Sequence, residues 1–426
     1  MANDPRMLTL QDWLRRLESL HPVTIELGLD RVQRVYERMH LAFFGKSTGS
    51  KIIIVGGTNG KGSTCTMLTR VLLAAGRHVA TYTSPHLLRY NERVCIDGRE
   101  ATDAELCEAF AAVEAVRGEV SLTYFEFGTL AALYCFAQRR PDVVILEVGL
   151  GGRLDAVNII EPAVSILTNV ALDHMDWLGN TRELIGYEKA GIFRSGHPAI
   201  YGELDMPDSV ALHARTIGAD LLRVGQHYTW QRDNATWRWE GRSASGAPLV
   251  IEHLPVVPFP LDNAAAVVQA LQYLNLAISP EQLRRGLAAS ELAGRFQEVS
   301  FRGTRVIVDV AHNPHAAANL ATNIRTRLAG HPVQLVLGML NDKDSAAVVR
   351  ILAPEVAHIH AASLGGERGA EAKIIYNDAR ESGVFAVTCH DTVLLALVAA
   401  CTATGTDGVV VVTGSFFTVA AILELI

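Results

Sequence analysis

The stretch Val55-Gly56-Gly57-Thr58-Asn59-Gly60-Lys61-Gly62-Ser63-Thr64 gathers residue types that can hold a polyphosphate. Glycines let the backbone approach phosphate oxygens, free N–H groups at a helix start point at them, and Lys61 adds a positive charge. Ser63 offers a hydroxyl to phosphate or magnesium. Val55 stands where the standard phosphate-binding loop has its first glycine, so the pattern reads as a shortened G-x-x-G-K-G-S. Other candidates follow apolar runs. Ser84 lies in Thr83-Ser84-Pro85-His86, and Glu147 closes Val143-Val144-Ile145-Leu146. A carboxylate at such a strand end either holds magnesium, directly or through water, or merely meets solvent. His174, in Leu172-Asp173-His174-Met175-Asp176, is either a hydrogen-bonded loop residue or a metal-facing one. Lys189, in Tyr187-Glu188-Lys189-Ala190-Gly191, falls within a helix and on its neighbours alone is a surface lysine. Asp309 and His312 sit just past another apolar run, where they either meet a ribose or phosphate or cap the next helix. Cys65, one turn into the phosphate-binding helix, is either a packing residue or a sensitive thiol.

These side chains need a scaffold that carries them on strand ends. Ile52–Val55, His78–Thr83, Val143–Leu146 and Val164–Leu167 read as strands. Helices are expected over Leu10–Leu20 with Thr9 and Asp12 as a cap pair, from Thr64 to Ala75, from the Thr102–Glu105 capping box toward Val116, over Leu130–Gln138, and over Thr181–Phe193. Strands alternating with helices argue for a parallel sheet covered on both faces, with ligands at the carboxyl ends of its strands. His227–Ile251, where Trp230, Trp237 and Trp239 alternate with polar residues around Asp233-Asn234, reads as a β-hairpin accessory to the first domain. Asp262–Leu274 is Ala-rich and helical. A second α/β series begins near Phe296, with strands at Val306–Val310, Val333–Leu337, Ala357–His360, Val384–Thr388 and Val409–Thr413. The fold class is therefore α/β, a P-loop-type parallel-sheet domain over 1–293 followed by a smaller Rossmann-like α/β domain over 294–426.

Composition narrows the partners. A chain of 426 residues exceeds one ordinary core, and 49% hydrophobic with 19% charged residues suits a globular enzyme. A net charge of −7 without a basic tract argues against nucleic acid. No apolar run is long enough to span a bilayer, and the charged start, with Asp12, Arg15, Arg16 and Glu18, lacks a signal-peptide core. Cys65, Cys95, Cys107, Cys135, Cys389 and Cys401 form no C-x-x-C pair, so reduced thiols in a cytoplasmic protein are expected. The sequence leaves the oligomeric state open, with a monomer as the default.

Taken together the motifs resemble the Mur ligase superfamily, and within it the bifunctional dihydrofolate synthase/folylpolyglutamate synthase family. The likeness rests on Thr24–Leu29, Gly57–Ser63, Thr83–His86, Leu122–Glu126, Leu146–Asp155, Leu172–His174, Glu188–Ile192, Gly294–Gln297 and Asp309–Pro314, nine segments in the family's order over nearly the whole chain. The resemblance implies an ATP-dependent ligase that joins L-glutamate to 7,8-dihydropteroate and to reduced folates. It implies ATP held by Gly60, Lys61, Gly62 and Ser63, with Asn263, Arg295 and Asp309, the last two reaching the nucleotide when the domains close. It implies magnesium, as two ions, on Ser84, Glu147, His174 and Lys189, the lysine serving as a carbamate formed with carbon dioxide. It places the pterin along Glu26, Leu27, Gly28 and Leu29, along Thr123, Tyr124, Phe125 and Glu126, and along Leu154, Asp155 and Ala156. Lys61, Glu147, Lys189 and His312 become the catalytic candidates. Ala293 and Asp262 depart from the family's usual residues beside Gly294-Arg295-Phe296 and Asn263. The other readings are a folylpolyglutamate synthase without the dihydropteroate activity, a cell-wall ligase acting on a nucleotide-linked peptide, and a nucleotide-binding switch protein without ligase chemistry.

Overall fold

Ile52-Ile53-Ile54-Val55 is apolar on both faces, which suits the middle of a sheet covered on both sides. The computed structural model describes residues 8–23, 25–41, 49–233, 235–405 and 407–426. In it β1 (Lys51–Gly56), β2 (Val79–Tyr82), β3 (Val94–Ile96), β4 (Arg99–Glu100), β5 (Val143–Glu147), β6 (Val164–Leu167), β7 (Pro198–Tyr201) and β8 (Asp220–Arg223) form one sheet. Its order is β4-β3-β2-β5-β1-β6-β7-β8. β1 pairs in parallel with β5 and β6, and only β3 and β4 run antiparallel. The chain moves to one side of β1 for β2 and β5, then crosses to the other for β6. That reversal makes a crevice at the carboxyl ends of these strands.

The helix after β1 spans Lys61–Ala74, beginning three residues before the expected start, so Lys61, Gly62 and Ser63 form its first turn. Gly62 lowers local helix propensity and hides this start in the sequence. The helix expected at Leu130–Gln138 runs Tyr124–Arg139, because Thr123 and Glu126 form a capping box. The Thr102–Glu105 box opens Asp103–Arg117 as expected, and Thr181 caps Arg182–Ala190. The expected hairpin is a three-stranded antiparallel sheet, β9 (Thr229–Arg232), β10 (Thr236–Arg242) and β11 (Pro248–Pro255), with β10 central. Asn234 and Thr24 lie outside the described residues.

Two compact units divide between Ser290 and Glu291. The second holds β12 (Gln297–Phe301), β13 (Thr304–Val308), β14 (Val333–Leu337), β15 (His358–Ala362), β16 (Val387–His390) and β17 (Val409–Thr413), ordered β12-β13-β17-β14-β15-β16. Five of these match the expected strands within a few residues. β12 does not appear in the sequence reading. It is an antiparallel edge strand with alternating exposure, which leaves a weak apolar signature.

Candidate active site

The glycine loop leaves β1 at Gly56 and enters the helix through Gly60, whose φ of 82° suits glycine. A Cβ on Gly57 would overlap the Thr168 hydroxyl, and one on Gly60 would overlap the Asn263 amide. The loop is fixed from the side by the residues that follow β6. Asn59 N–H donates to Asn169 Oδ1 at 3.0 Å, and its carbonyl accepts from Thr168 Oγ1 at 2.7 Å and Asn169 Nδ2 at 2.9 Å. Thr58 Oγ1 donates to the Ala171 carbonyl at 3.2 Å and accepts from the Ala171 N–H at 3.0 Å. Lys61 Nζ curls back to donate to the carbonyls of Gly57 and Thr58 at 3.0 and 3.2 Å.

β5 sits beside β1 and carries Glu147 at its end, level with Val55. Glu147 is only 4% exposed, so it does not merely meet solvent. Its Oε2 accepts from the Ser84 N–H at 3.1 Å, which joins the end of β2 to the end of β5. Lys189 is 4% exposed and donates to the Gly57 carbonyl at 3.1 Å, so the surface reading of this lysine is corrected. Burial, then the charge of Lys61, pushes its amine down to about 7, against the pull of Asp173 and Asp155. Cys65 is fully buried and its thiol is raised by that burial, which makes it a packing residue. His174 stands exposed at φ 52°, as the N-cap of the short helix Met175–Leu178, on the loop that Ala171 ties to Thr58. Among the described residues no three His, Cys, Asp or Glu side chains are arranged to hold a metal. Buried Glu147 beside Ser84 still fits a hard cation, because magnesium takes oxygen ligands and keeps waters or phosphate oxygens for its other positions.

The three segments expected to bind pterin share one neighbourhood. Arg31 links two of them, donating to the Glu26 side chain and carbonyl and lying 3.2 Å from Glu126 Oε1. Glu126 is 3% exposed and accepts from the Thr123 N–H at 2.8 Å. A Cβ on Gly149 would come within 2.6 Å of the Phe125 ring. Asp155 accepts from the N–H groups of Leu150 and Val157 at 2.9 and 3.1 Å, capping the turn that begins at Ala156. Burial raises Asp155 to about 6, while those N–H groups oppose the rise. Leu29 precedes the helix Asp30–Met39 as its N-cap, and Leu27, Gly28, Tyr124 and Leu154 are half-buried in the same unit.

In the second unit Asp309 accepts from the N–H groups of Phe296 and Ala311, both at 2.9 Å. Burial raises its carboxyl and Arg295 opposes that. The Arg295 guanidinium lies 5.2 Å from the Phe416 ring centre, and His312 lies 6.2 Å from the same ring. Asn313, not Asp309 or His312, caps the following helix through the Ala316 N–H.

Comparison with known proteins bears on what such a site belongs to. Residues 55–227 match the Mur ligase middle domain, and residues 294–416 match the Mur ligase glutamate ligase domain. Over 417 residues the chain is 44% identical to the dihydrofolate synthase/folylpolyglutamate synthase of Escherichia coli K12, covering 98% of this chain and 95% of that one. The chain belongs to this family of Mur ligases. An E. coli family member solved in complex with DHPP and ADP is 44% identical, with a TM-score of 0.92, covering 99% of this chain and 98% of that one. A Yersinia pestis family member complexed with AMPPNP and Mn ion is 46% identical, with a TM-score of 0.90 and the same coverage.

Arg31, Thr168 and Asn169 in the first unit, and Phe416 beside Arg295 in the second, escaped the sequence reading. Thr168-Asn169 follows the apolar run Val164–Leu167 as Glu147 follows Val143–Leu146, so the strand-end signal was present. Phe416 gives no such signal, since its partners come from distant parts of the chain, and Arg31 gives one only in its neighbour Glu26, because the link to Glu126 spans 95 residues.

Proposed function

We propose that this chain uses ATP to join L-glutamate to 7,8-dihydropteroate, forming dihydrofolate, and to reduced folates, forming γ-linked polyglutamates. The observation that carries this reading is the convergence at the ends of β2, β5, β1 and β6 of Ser84, Glu147, the glycine loop with Lys61, and the buried Lys189 amine. The family's printed names and the DHPP, ADP and AMPPNP of its solved members support the substrate assignment.

A carboxylate does not react with an amine at neutral pH. Transfer of the γ-phosphoryl group to it gives an acyl phosphate with a good leaving group. In the proposed roles Lys61 and the N–H groups of Gly60, Gly62 and Ser63 stabilise charge on the transferring group. Glu147 and Ser84, with His174 and carbamylated Lys189, would hold two magnesium ions, which supply charge neutralisation at the phosphates. Asn263, Arg295 and Asp309 would contact the nucleotide, and His312 would join Lys61, Glu147 and Lys189 among the catalytic groups. Glu26–Leu29, Thr123–Glu126 and Leu154–Ala156 would receive the pterin. Residues 1–293 would form the ATP and acceptor domain and 294–426 the glutamate ligase domain. Release of ADP by the pure protein with ATP, glutamate and each acceptor tests this. Turnover with both dihydropteroate and tetrahydrofolate is expected. Silence with every pterin or folate acid overturns it, and turnover with tetrahydrofolate alone reduces it to the second activity.

A further inference from the structure

The small sheet β9–β11 grips the helix Leu261–Tyr273 at two points. Trp230 Nε1, on β9, donates to Asp262 Oδ1 at 2.7 Å. On β10, Arg242 is held through both backbone groups by Gln269: its N–H donates to Oε1 at 3.3 Å and its carbonyl accepts from Nε2 at 2.8 Å. Asp262 and Gln269 are seven residues apart, so they lie two turns apart on one face of the helix. Asn263, next to Asp262 and 3% exposed, meets the glycine loop instead, with its amide where a Gly60 Cβ would stand. The sheet is firmly built, since Trp237 and Trp239 are fully buried and Trp237 Nε1 donates to the Pro255 carbonyl at 2.8 Å.

We infer that β9–β11 is a positioning element for the nucleotide, with Trp230 acting through Asp262 to set where Asn263 stands against the loop. The inference rests on the reading of Asn263 as an ATP-contacting residue. An exposed ribbon of this kind would otherwise be a cover for the helix and nothing more. The two grips bracket the helix, and the one nearer the loop is a short indole–carboxylate bond. A helix turn is stiff, so a shift at Asp262 passes to its neighbour. Asp262 lies in the first turn, where the helix dipole favours an ionised carboxylate. Burial works the other way and raises its carboxyl, and the indole N–H opposes that rise.

Steady-state kinetics of the full chain with ATP, L-glutamate and dihydropteroate, together with calorimetric ADP affinity, tests the inference. Trp230→Phe keeps an aromatic ring, though a smaller one, and removes the donor. It is expected to raise KM for ATP and the Kd for ADP roughly five- to tenfold, with KM for glutamate and for the acceptor unchanged. Asp262→Ala should reproduce this, and Asp262→Asn, which keeps the Oδ1 acceptor, should stay near the parent. Trp237→Phe removes an indole bond inside the same sheet and should leave nucleotide affinity alone. If Trp230→Phe and Asp262→Ala leave nucleotide affinity at the parent value, or Trp237→Phe shifts it as much as they do, the sheet is only a cover and the inference falls. Asn263→Ala separates the two layers. A loss of nucleotide affinity there without one in Trp230→Phe removes the positioning role alone. No loss in Asn263→Ala removes the reading of Asn263 and the inference with it.

Discussion

Lys61 and Lys189 both donate to the Gly57 carbonyl, at 3.0 and 3.1 Å, so two amines share one acceptor at the mouth of the glycine loop. Burial, and then the neighbouring charge of Lys61, disfavours the ammonium form of Lys189, whose amine is pushed down to about 7. A neutral amine is the form that adds carbon dioxide, releasing a proton and leaving an anionic carbamate. Lys189→Met should therefore lower ADP release at least ~100-fold, and in the parent protein activity in limiting carbon dioxide should fall as pH drops below 7. For stability the same lysine is a cost, and that cost also weighs most at low pH. A lysine with a folded pKa below its unfolded value weighs against folding at and below pH 7, and the burden lightens as pH rises from 7 toward the unfolded value. In carbon-dioxide-free buffer at pH 6, Lys189→Met should raise Tm by a few degrees in a thermal melt. Lys61→Met should cost roughly a thousandfold in kcat for ADP release, with the fold intact by circular dichroism. The burial of Lys189 had a sequence signal. Ile185, four residues earlier on the same face, is fully buried, and a lysine sharing that face is carried inward.

Elements hold these residues by turns and caps that local sequence shows unevenly. The Thr102–Glu105 box reads directly from Thr-x-x-Glu before an apolar helix, and Thr123–Glu126 has the same spacing. The second box was hidden because the four residues also match a family motif, which drew them toward ligand binding. The two roles are compatible. Glu126 Oε2 accepts from the Thr123 N–H at 2.8 Å and from Arg31 Nε at 3.4 Å, and the Arg31 guanidinium also lies 3.2 Å from Oε1. Arg31→Met should break that bridge and raise KM for the pterin acceptor about tenfold, with KM for ATP unchanged in the same assay. Asp155→Ala leaves the N–H groups of Leu150 and Val157 without their acceptor and should cost about 1–3 kcal/mol in urea unfolding. Gly60→Ala places a methyl group into the Asn263 amide at a backbone angle that suits only glycine, so nucleotide affinity should fall at least tenfold by calorimetry. β3, β4, β7, β8 and β12 escaped the sequence reading and β11 was covered only at its start; β11 and β12 are edge strands whose alternation is half polar, and the others are short.

Across the whole molecule, the two α/β series and their order were legible because buried parallel strands are continuous apolar runs. The central strand positions, Val143–Leu146, Val164–Leu167, Val333–Leu337 and Val409–Thr413, were placed almost to the residue. What joins strands in space was less legible. The order β2-β5-β1-β6 brings Ser84 to Glu147 and Thr168 to Asn59 across 63 and 109 residues of chain, and no local pattern encodes such pairings. The family motifs supplied that information indirectly, by naming residues that a shared fold had already brought together. In the proposed reaction, phosphoryl transfer to the acceptor carboxylate precedes amide formation. Dihydropteroate with heavy oxygen in its carboxylate, incubated with ATP, magnesium and L-glutamate, tests it most directly. One heavy oxygen should appear in the released inorganic phosphate, with ADP and dihydrofolate formed in equal amounts. Unlabelled phosphate, or phosphate released without glutamate and acceptor, would contradict the account.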